Sequence, residues 1–358
     1  MACLPGVSRV QIRPTIAALP DYVPGPAVPV GAQAFKLSSN ENPYPPLPSV
    51  VAAIADAAVD VNRYPDVLAT ELSQGLGEVL GVGPDQVVPT AGSVSALFHA
   101  VNAFCDPGDE VVLPWRSFEA YPIAIALAGA TGVPVPLADD ARLDLAGLAA
   151  AVTDRTRMVM VCSPNNPTGP AVHADELAAL LAAVPDDVVV LYDEAYLEFV
   201  RDAQAVDGVE LLAEHPNVVL LRTFSKAYGL AGLRVGYAVA RGRLAAAVRK
   251  TVTPFEVTTL AQRAALASLQ ATDELSRRVD RVVAERTRLV TALRDQGWTV
   301  PDTQANFVWF DLGERTAAFA DQCTSAGLLV RPFAGDGVRV TVGEPEANDL
   351  LLELTARI

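Results

Sequence analysis

Histidine and cysteine are scarce in this 358-residue sequence, with three of the first and four of the second, and no Cys-x-x-Cys pair. Cys3, Cys105, Cys162 and Cys323 are too scattered for a disulfide framework or a structural metal site, which points to a reduced, metal-free protein. His99 falls within an apolar helical pattern and reads as a packed residue, while His173 and His215 fall in surface turns. Basic residues are also in deficit: 27 against 42 acidic ones leaves a formal net charge of -15. Proteins that grip phosphate backbones need a basic surface to release counterions, so nucleic acid is excluded as a partner. Apolar runs are short and interrupted by charges or prolines, well under the roughly 20 residues that a bilayer requires. Residues 1–14 carry no apolar signal core behind a basic flank, so the expectation is a cytoplasmic protein with no membrane role. What is present is ordinary for a well-packed enzyme, 51% hydrophobic and 19% charged residues. The length allows one large domain with a smaller one, or two of comparable size.

From about residue 36 to 250, short apolar runs alternate with longer amphipathic stretches, the pattern of parallel strands joined by crossover helices. Strands are predicted over 86–89, 110–114, 133–137, 157–162, 188–192, 218–223 and 235–240. Between the first two, Val94, Leu97, Phe98, Val101, Phe104 and Cys105 recur at helical spacing. An α/β fold follows, built on a mainly parallel seven-stranded sheet covered by helices on both faces. Residues 1–35 are proline-rich, including Pro14, Pro20, Pro24, Pro26 and Pro29, and read as an extended arm without regular structure. Beyond residue 250 the pattern changes to one long helical region, 259–296, followed by strands such as 305–311 and 337–342 with a helix among them. The chain therefore divides into an arm (1–35), a large domain (36–250) and a smaller α+β domain (251–358) against which the arm packs.

Ligands of open parallel sheets bind at the carboxyl ends of the strands, so polar residues directly after apolar runs carry the most weight. Three such places stand out: 163–169 with Asn166, 193–196 with Asp193, and 223–226 with Lys226. Singly, each has a structural explanation in a turn, a helix cap or a solvated loop. Together, and followed eight residues later by Arg234 between glycines, they form a polar cluster that a core would not otherwise support. If the three strands are neighbours, Asn166, Asp193 and Lys226 converge on one crevice. Gly75-Leu76-Gly77-Glu78-Val79-Leu80-Gly81 lacks the spacing of a dinucleotide-binding turn and does not follow a strand, which removes a dehydrogenase from consideration.

Seven ordered blocks resemble the fold type I pyridoxal-phosphate aminotransferases, in the branch that holds the histidinol-phosphate and aromatic enzymes. They are Asn40-Glu41-Asn42-Pro43, Arg63-Tyr64-Pro65, 163–169, 193–196, 225–234, Ala305-Asn306-Phe307 and Val338-Arg339-Val340. The resemblance implies pyridoxal 5'-phosphate as cofactor and Lys226 as the lysine that holds it as a Schiff base and shuttles the proton. It places Asp193 against the pyridine nitrogen, where a carboxylate keeps the ring protonated. Asn166 and Tyr196 match the residues bonded to the ring's phenolic oxygen. Ser93 and Val94 at a helix start, Ser225 and Arg234 match the phosphate ligands, and Phe118 matches the aromatic stacked on the ring. Tyr64 matches a tyrosine that reaches the cofactor phosphate of a neighbouring subunit, which implies a homodimer.

For the substrate, Arg339 matches the arginine that pairs with the α-carboxylate, with Asn306, Asn40 and Tyr22 in the same region and Arg331 as its helper. Histidinol-phosphate aminotransferases carry an acidic pair where this chain has Val94-Ser95 and a tyrosine where it has Phe255, and Glu256 adds a like charge beside any substrate phosphate. Those departures, with the stretch 115–121, favour an aromatic amino acid such as phenylalanine or tyrosine exchanging with a 2-oxo acid; histidinol phosphate is the alternative. Tyr22, Phe35, Trp115 and Phe255 are expected to line the pocket for a flat ring. Two further readings are a decarboxylase or lyase using the same cofactor, and a ligand-sensing domain of a transcription regulator, for which the chain lacks a DNA-binding module.

Overall fold

The computed structural model describes residues 11–19 and 34–358. Its strands, in chain order, are β1 (Phe35–Lys36), β2 (Val87–Thr90), β3 (Glu110–Trp115), β4 (Thr131–Pro136), β5 (Thr156–Cys162), β6 (Val189–Asp193), β7 (Val218–Thr223), β8 (Gly236–Ala240), β9 (Phe307–Asp311), β10 (Leu328–Leu329), β11 (Arg331–Phe333) and β12 (Gly337–Thr341). Seven of them form one sheet in the order β2-β8-β7-β6-β5-β3-β4. All neighbouring pairs are parallel except the two made by β8, which runs antiparallel to β2 and β7. This is the mainly parallel seven-stranded sheet expected from the sequence.

The central strands are apolar along their whole length because both faces are covered. Successive residues feed two separate cores: Val159, Val161, Val190, Tyr192 and Leu220 on one face, and Met158, Met160, Leu191, Val219 and Leu221 on the other. Proline is tolerated where no partner strand needs its N–H. Pro89 sits on the edge strand β2, Pro134 and Pro136 on the edge strand β4, and Pro114 beyond Val112, where the pairing of β3 with β5 stops.

Two smaller sheets complete the fold: antiparallel β11-β12-β9, and the parallel pair of β1 with β10. The helical region expected as one piece is two helices, Thr259–Gln270 and Thr272–Asp295. The first packs on helices Pro48–Ala57 and Thr70–Leu80, the second on the C-terminal helix Pro345–Thr355. Asp273 and Glu274 favour a fresh start after Ala271, since carboxylates stabilise a helix N-terminus. The long helix buries Leu275, Val279, Val282, Arg286 and Leu289 at spacings of three and four, and the buried Arg286 donates to the carbonyls of Phe199 (2.9 Å) and Ala305 (3.0 Å). Within the arm, a five-residue helix, Pro14–Ala18, stands where no regular structure was expected, with a proline at its start where the missing N–H costs nothing.

Candidate active site

Strands β5, β6 and β7 are adjacent, so their carboxyl ends bring Asn166, Asp193 and Lys226 to one cavity of about 320 Å3. Asp193, the last residue of β6, is buried and accepts hydrogen bonds from the Tyr121 hydroxyl (3.0 Å) and the Ala195 amide (3.2 Å). Burial pushes its carboxyl up to about 6, against the pull of those bonds and of the Lys226 charge. Lys226 Nζ donates to the Ser39 carbonyl at 3.0 Å. Burial, then the charges of Arg339 and Arg234, bring this amine down to about 7, so a large share is neutral near physiological pH.

Beside it, Tyr196 accepts a hydrogen bond from Asn40 Nδ2 at 2.9 Å, and burial raises its phenol to about 12 despite Arg339 and Asn40. Asn40 has a left-handed backbone, φ 52°, which asparagine tolerates better than most residues. It is held there from several sides: its amide donates to Thr341 Oγ1 (2.9 Å), its carbonyl accepts from Asn306 Nδ2 (3.2 Å), and its side-chain oxygen accepts from the Thr341 hydroxyl (3.0 Å). Asn40 and Asn306 thus position Tyr196 from behind rather than facing the cavity.

At the other end of the cavity lies a niche for an anion. The helix Ser93–Phe104 opens at Gly92, whose φ of 87° favours glycine and where a Cβ would come within 2.7 Å of Arg234 Nη2. Gly236 is equally constrained, since a Cβ there would meet the Ser93 amide nitrogen at 2.5 Å. Arg234, itself at φ 54°, donates to Ser225 Oγ at 3.3 Å. The free amides of a helix start, a hydroxyl and a guanidinium so face one spot, with Ser93 and Val94 on the lining.

The small sheet supplies the facing wall. Arg339 on β12 donates to Asn166 Oδ1 and to the Ser38 carbonyl, both at 2.6 Å, and is buried. Arg331 on β11 is its direct cross-strand neighbour and pairs with Glu119 at 2.8 Å.

The expected aromatic lining and the expected place of Glu256 need correction. Of the four aromatics expected to line the pocket, Phe35 pairs with Leu328, Trp115 stacks under the Arg116 guanidinium 4.4 Å from its ring centre, and Phe255 is 41% exposed; none of the three reaches the cavity wall. Tyr22 lies outside the described residues. Phe118, Phe333 and Tyr196 are the aromatic lining instead. Glu256 does not face the cavity either: it accepts from the Ala91 amide (2.8 Å) and Ser95, and pairs with His99 Nε2 at 2.7 Å. Tyr64 stands 83% exposed on the surface, its ring centre 4.5 Å from that of Phe255. Cys105, Cys162 and Cys323 are free and buried, and Cys3 lies outside the described residues. Among the described residues no cluster of metal-ligating side chains occurs.

Tyr121 and Glu119 belong to the site without having been expected there, although both lie in the stretch that includes Phe118. Tyr121, in the first turn of the helix Ala120–Ala128, meets the ring of Phe118 just before that helix edge to face at 5.7 Å. The Ser38 and Ser39 contacts run through main-chain carbonyls and leave no mark in the sequence.

An amine of lowered basicity, a buried carboxylate bonded only to neutral donors, an anion niche and a guanidinium wall together describe a site for amino-group transfer. The chain belongs to the class I and II aminotransferases, whose family pattern it matches over residues 32–354. It is 55% identical to an aromatic amino acid aminotransferase of Streptomyces coelicolor over 96% of both chains, and 51% identical to one of Rhodococcus erythropolis over 96% of this chain and 94% of that one. Among solved structures it superposes on the histidinol-phosphate aminotransferase of Sinorhizobium meliloti in complex with pyridoxal-5'-phosphate, with a TM-score of 0.90 and 30% identity over 98% of both chains. The family resemblance carried by the seven sequence blocks is borne out, and with it the transaminase reading and the fold type.

Proposed function

We propose that the protein transfers the amino group between an aromatic L-amino acid, phenylalanine or tyrosine, and a 2-oxo acid, using pyridoxal 5'-phosphate. The observation that carries this reading is the common cavity of Lys226, Asp193 and Arg339, with aromatic walls from Phe118, Phe333 and Tyr196. The chain's residues suit that cofactor: Asp193 is a buried carboxylate on the cavity wall whose hydrogen bonds come only from neutral donors, Tyr121 and Ala195, so a protonated ring nitrogen would suit it as a charged partner. When bound, the cofactor contributes an aldehyde for amine exchange and a ring that accepts electrons.

Every other task falls to the protein. Lys226 Nζ, held partly neutral, is the nucleophile and the carrier of the proton at the substrate α-carbon. Tyr196 and Asn166 would bond the ring's phenolic oxygen, and Phe118 would stack on the ring. Ser93, Val94, Ser225 and Arg234 would hold the phosphate, and Arg339 would take the α-carboxylate with its planar fork, assisted by Arg331 and backed by Asn306 and Asn40.

The aromatic preference is supported by the two aromatic amino acid aminotransferases named above and by the rings of Phe118, Phe333 and Tyr196 on the cavity wall. The alternative, a histidinol-phosphate aminotransferase, is separated by comparing kcat/KM for phenylpyruvate and for imidazole acetol phosphate. A preference of about two orders of magnitude for phenylpyruvate is expected, and a preference for the phosphate ester overturns this reading.

A homodimer belongs to the same proposal. Val59, Val61, Tyr64, Val67 and Leu68 are large apolar residues left exposed in one stretch of the chain, Phe255, also exposed, stacks on Tyr64, and Tyr64 is the residue expected at a partner's cofactor phosphate. The division into arm, large domain and small domain is proposed with the boundaries given above; the pairing of β1 with β10 supports packing of the arm's end on the small domain. No helix among the described residues is long and apolar enough to cross a membrane, and a cytoplasmic location is proposed.

A further inference from the structure

We infer that Glu256, which does not line the cavity, is the positioning residue of the anion niche: one of its carboxylate oxygens clips both ends of the turn 91–95, so that the amides of Ser93 and Val94 face the cofactor phosphate. The inference rests on the reading of the site given above and deepens it.

The backbone N–H groups around that turn are nearly all committed. The Gly92 amide donates to the Thr90 carbonyl (2.7 Å), and those of Ser95 and Ala96 both donate to the Gly92 carbonyl (3.0 and 3.3 Å). The Ala91 amide donates to Glu256 Oε1 at 2.8 Å. Among the described residues of this run, the amides of Ser93 and Val94 find no acceptor, and both residues line the cavity. Two free donors at a helix start, beside the Arg234 guanidinium, are what a phosphate needs.

The direction of those donors depends on the turn, and the turn depends on Glu256. Its Oε1 accepts from the Ala91 amide before Gly92 and from the Ser95 hydroxyl after it, while Oε2 pairs with His99 Nε2 (2.7 Å) one helical turn further on. Gly92, at φ 87° and without a side chain, is the most freely turning residue between those two anchors. Glu256 is itself aimed by its neighbours. It follows Phe255, whose left-handed φ of 62° is rare for a bulky residue and persists only where the surroundings fix it. The Glu256 amide closes that turn on the Thr253 carbonyl at 3.2 Å, and the ring of Phe255 is stacked on Tyr64. At 9% exposure, the Glu256 side chain has little water with which to exchange its bonds. Ser95 and Glu256, two residues where the sequence departs from the histidinol-phosphate pattern, are thus each other's partners.

Titration of the full-length apoprotein with pyridoxal 5'-phosphate and with pyridoxal, which lacks only the phosphate, isolates the niche, because the contacts of the ring and of Lys226 are common to both. Glu256→Ala is expected to narrow the affinity ratio between them by about tenfold or more, through weaker binding of the phosphorylated form alone. Ser95→Ala, which frees one end of the turn and leaves the larger contacts of the fold in place, narrows it by about threefold. Glu256→Gln, whose amide oxygen still accepts from Ala91 and Ser95, keeps the ratio within about twofold of the wild type even where it lowers stability. Equal losses for the two compounds in either alanine variant, or an unchanged ratio in Ser95→Ala, overturn the positioning role and leave the cofactor reading standing. A Glu256→Gln variant as impaired as Glu256→Ala overturns it too, since charge and not the clip is then at work. A wild type that binds the two compounds alike overturns the cofactor reading and this inference with it.

Discussion

The Tyr121 hydroxyl donates to Asp193 Oδ2 at 3.0 Å, joining the helix after β3 to the end of β6 deep beneath the cavity. Because burial raises the Asp193 carboxyl to about 6, the folded apoprotein holds a proton there between about pH 4 and 6 that the unfolded chain has already released. Stability from this group is therefore greatest at low pH and falls as pH rises from about 4 to about 6, by about 3 kcal/mol in all. Asp193→Asn is expected to raise the urea midpoint of the apoprotein at neutral pH, with the difference vanishing in acid. Cofactor affinity moves the opposite way and drops, and Tyr121→Phe weakens it by about tenfold through loss of one bond to the carboxylate. Equilibrium unfolding and cofactor titration across pH check both.

Lys226 has the reverse linkage. Its amine is lowered to about 7 by burial and by Arg339 and Arg234, so the folded apoprotein binds fewer protons than the unfolded chain between there and about 10. The stability contributed by this group rises with pH through that window and is lost as pH falls towards neutrality. In Lys226→Met that slope disappears, the cofactor becomes removable by dialysis, and turnover falls by about four orders of magnitude. A variant that retains the cofactor through dialysis and keeps its rate removes Lys226 from the mechanism.

Glu256 ties the loop before the helix Thr259–Gln270 to the helix Ser93–Phe104 through Ala91, Ser95 and His99. Although burial opposes it, the bonds from His99, Ser95 and Ala91 hold the Glu256 carboxyl below its ordinary value. The stability it contributes is present above the unfolded glutamate pKa and lost as pH falls through the lower folded one. Glu256→Gln should cost about 1–3 kcal/mol at neutral pH, and the gap from the wild type should close in acid. Urea unfolding at the two pH values measures it; a gap that persists in acid means the carboxylate charge is irrelevant.

Tyr64 and Phe255 make an exposed stack that a single chain does not need. Sedimentation is expected to show a dimer, and Val61→Asp, which puts a charge among the exposed apolar residues, is expected to raise the dimer dissociation constant by about tenfold or more. A wild type that sediments as a monomer at enzyme concentrations well above the assay range ends the dimer proposal.

How far the sequence reached can be judged from particular residues. The strands β5, β6 and β7 were legible because a strand buried on both faces must be apolar throughout, and the polar residues that follow such runs are confined to the sheet's carboxyl edge. Asn166, Asp193 and Lys226 could be brought together on that ground alone. The aromatic lining was not legible: Trp115 and Phe118 are three residues apart, yet only Phe118 faces the cavity, because the direction of each side chain after β3 depends on packing against the rest of the fold.

By itself, then, the sequence determined the α/β class, the order of strands along the chain and the residues waiting at the strand ends, all consequences of local periodicity and composition. Only the tertiary structure decided that Arg331 stands opposite Arg339, that Glu119 reaches Arg331 from 212 positions away, and that Glu256 turns from the cavity to His99. Such pairings depend on strand register and on how the small sheet docks against the large one. Those are set by the sum of many distant contacts, and no short stretch of sequence encodes them.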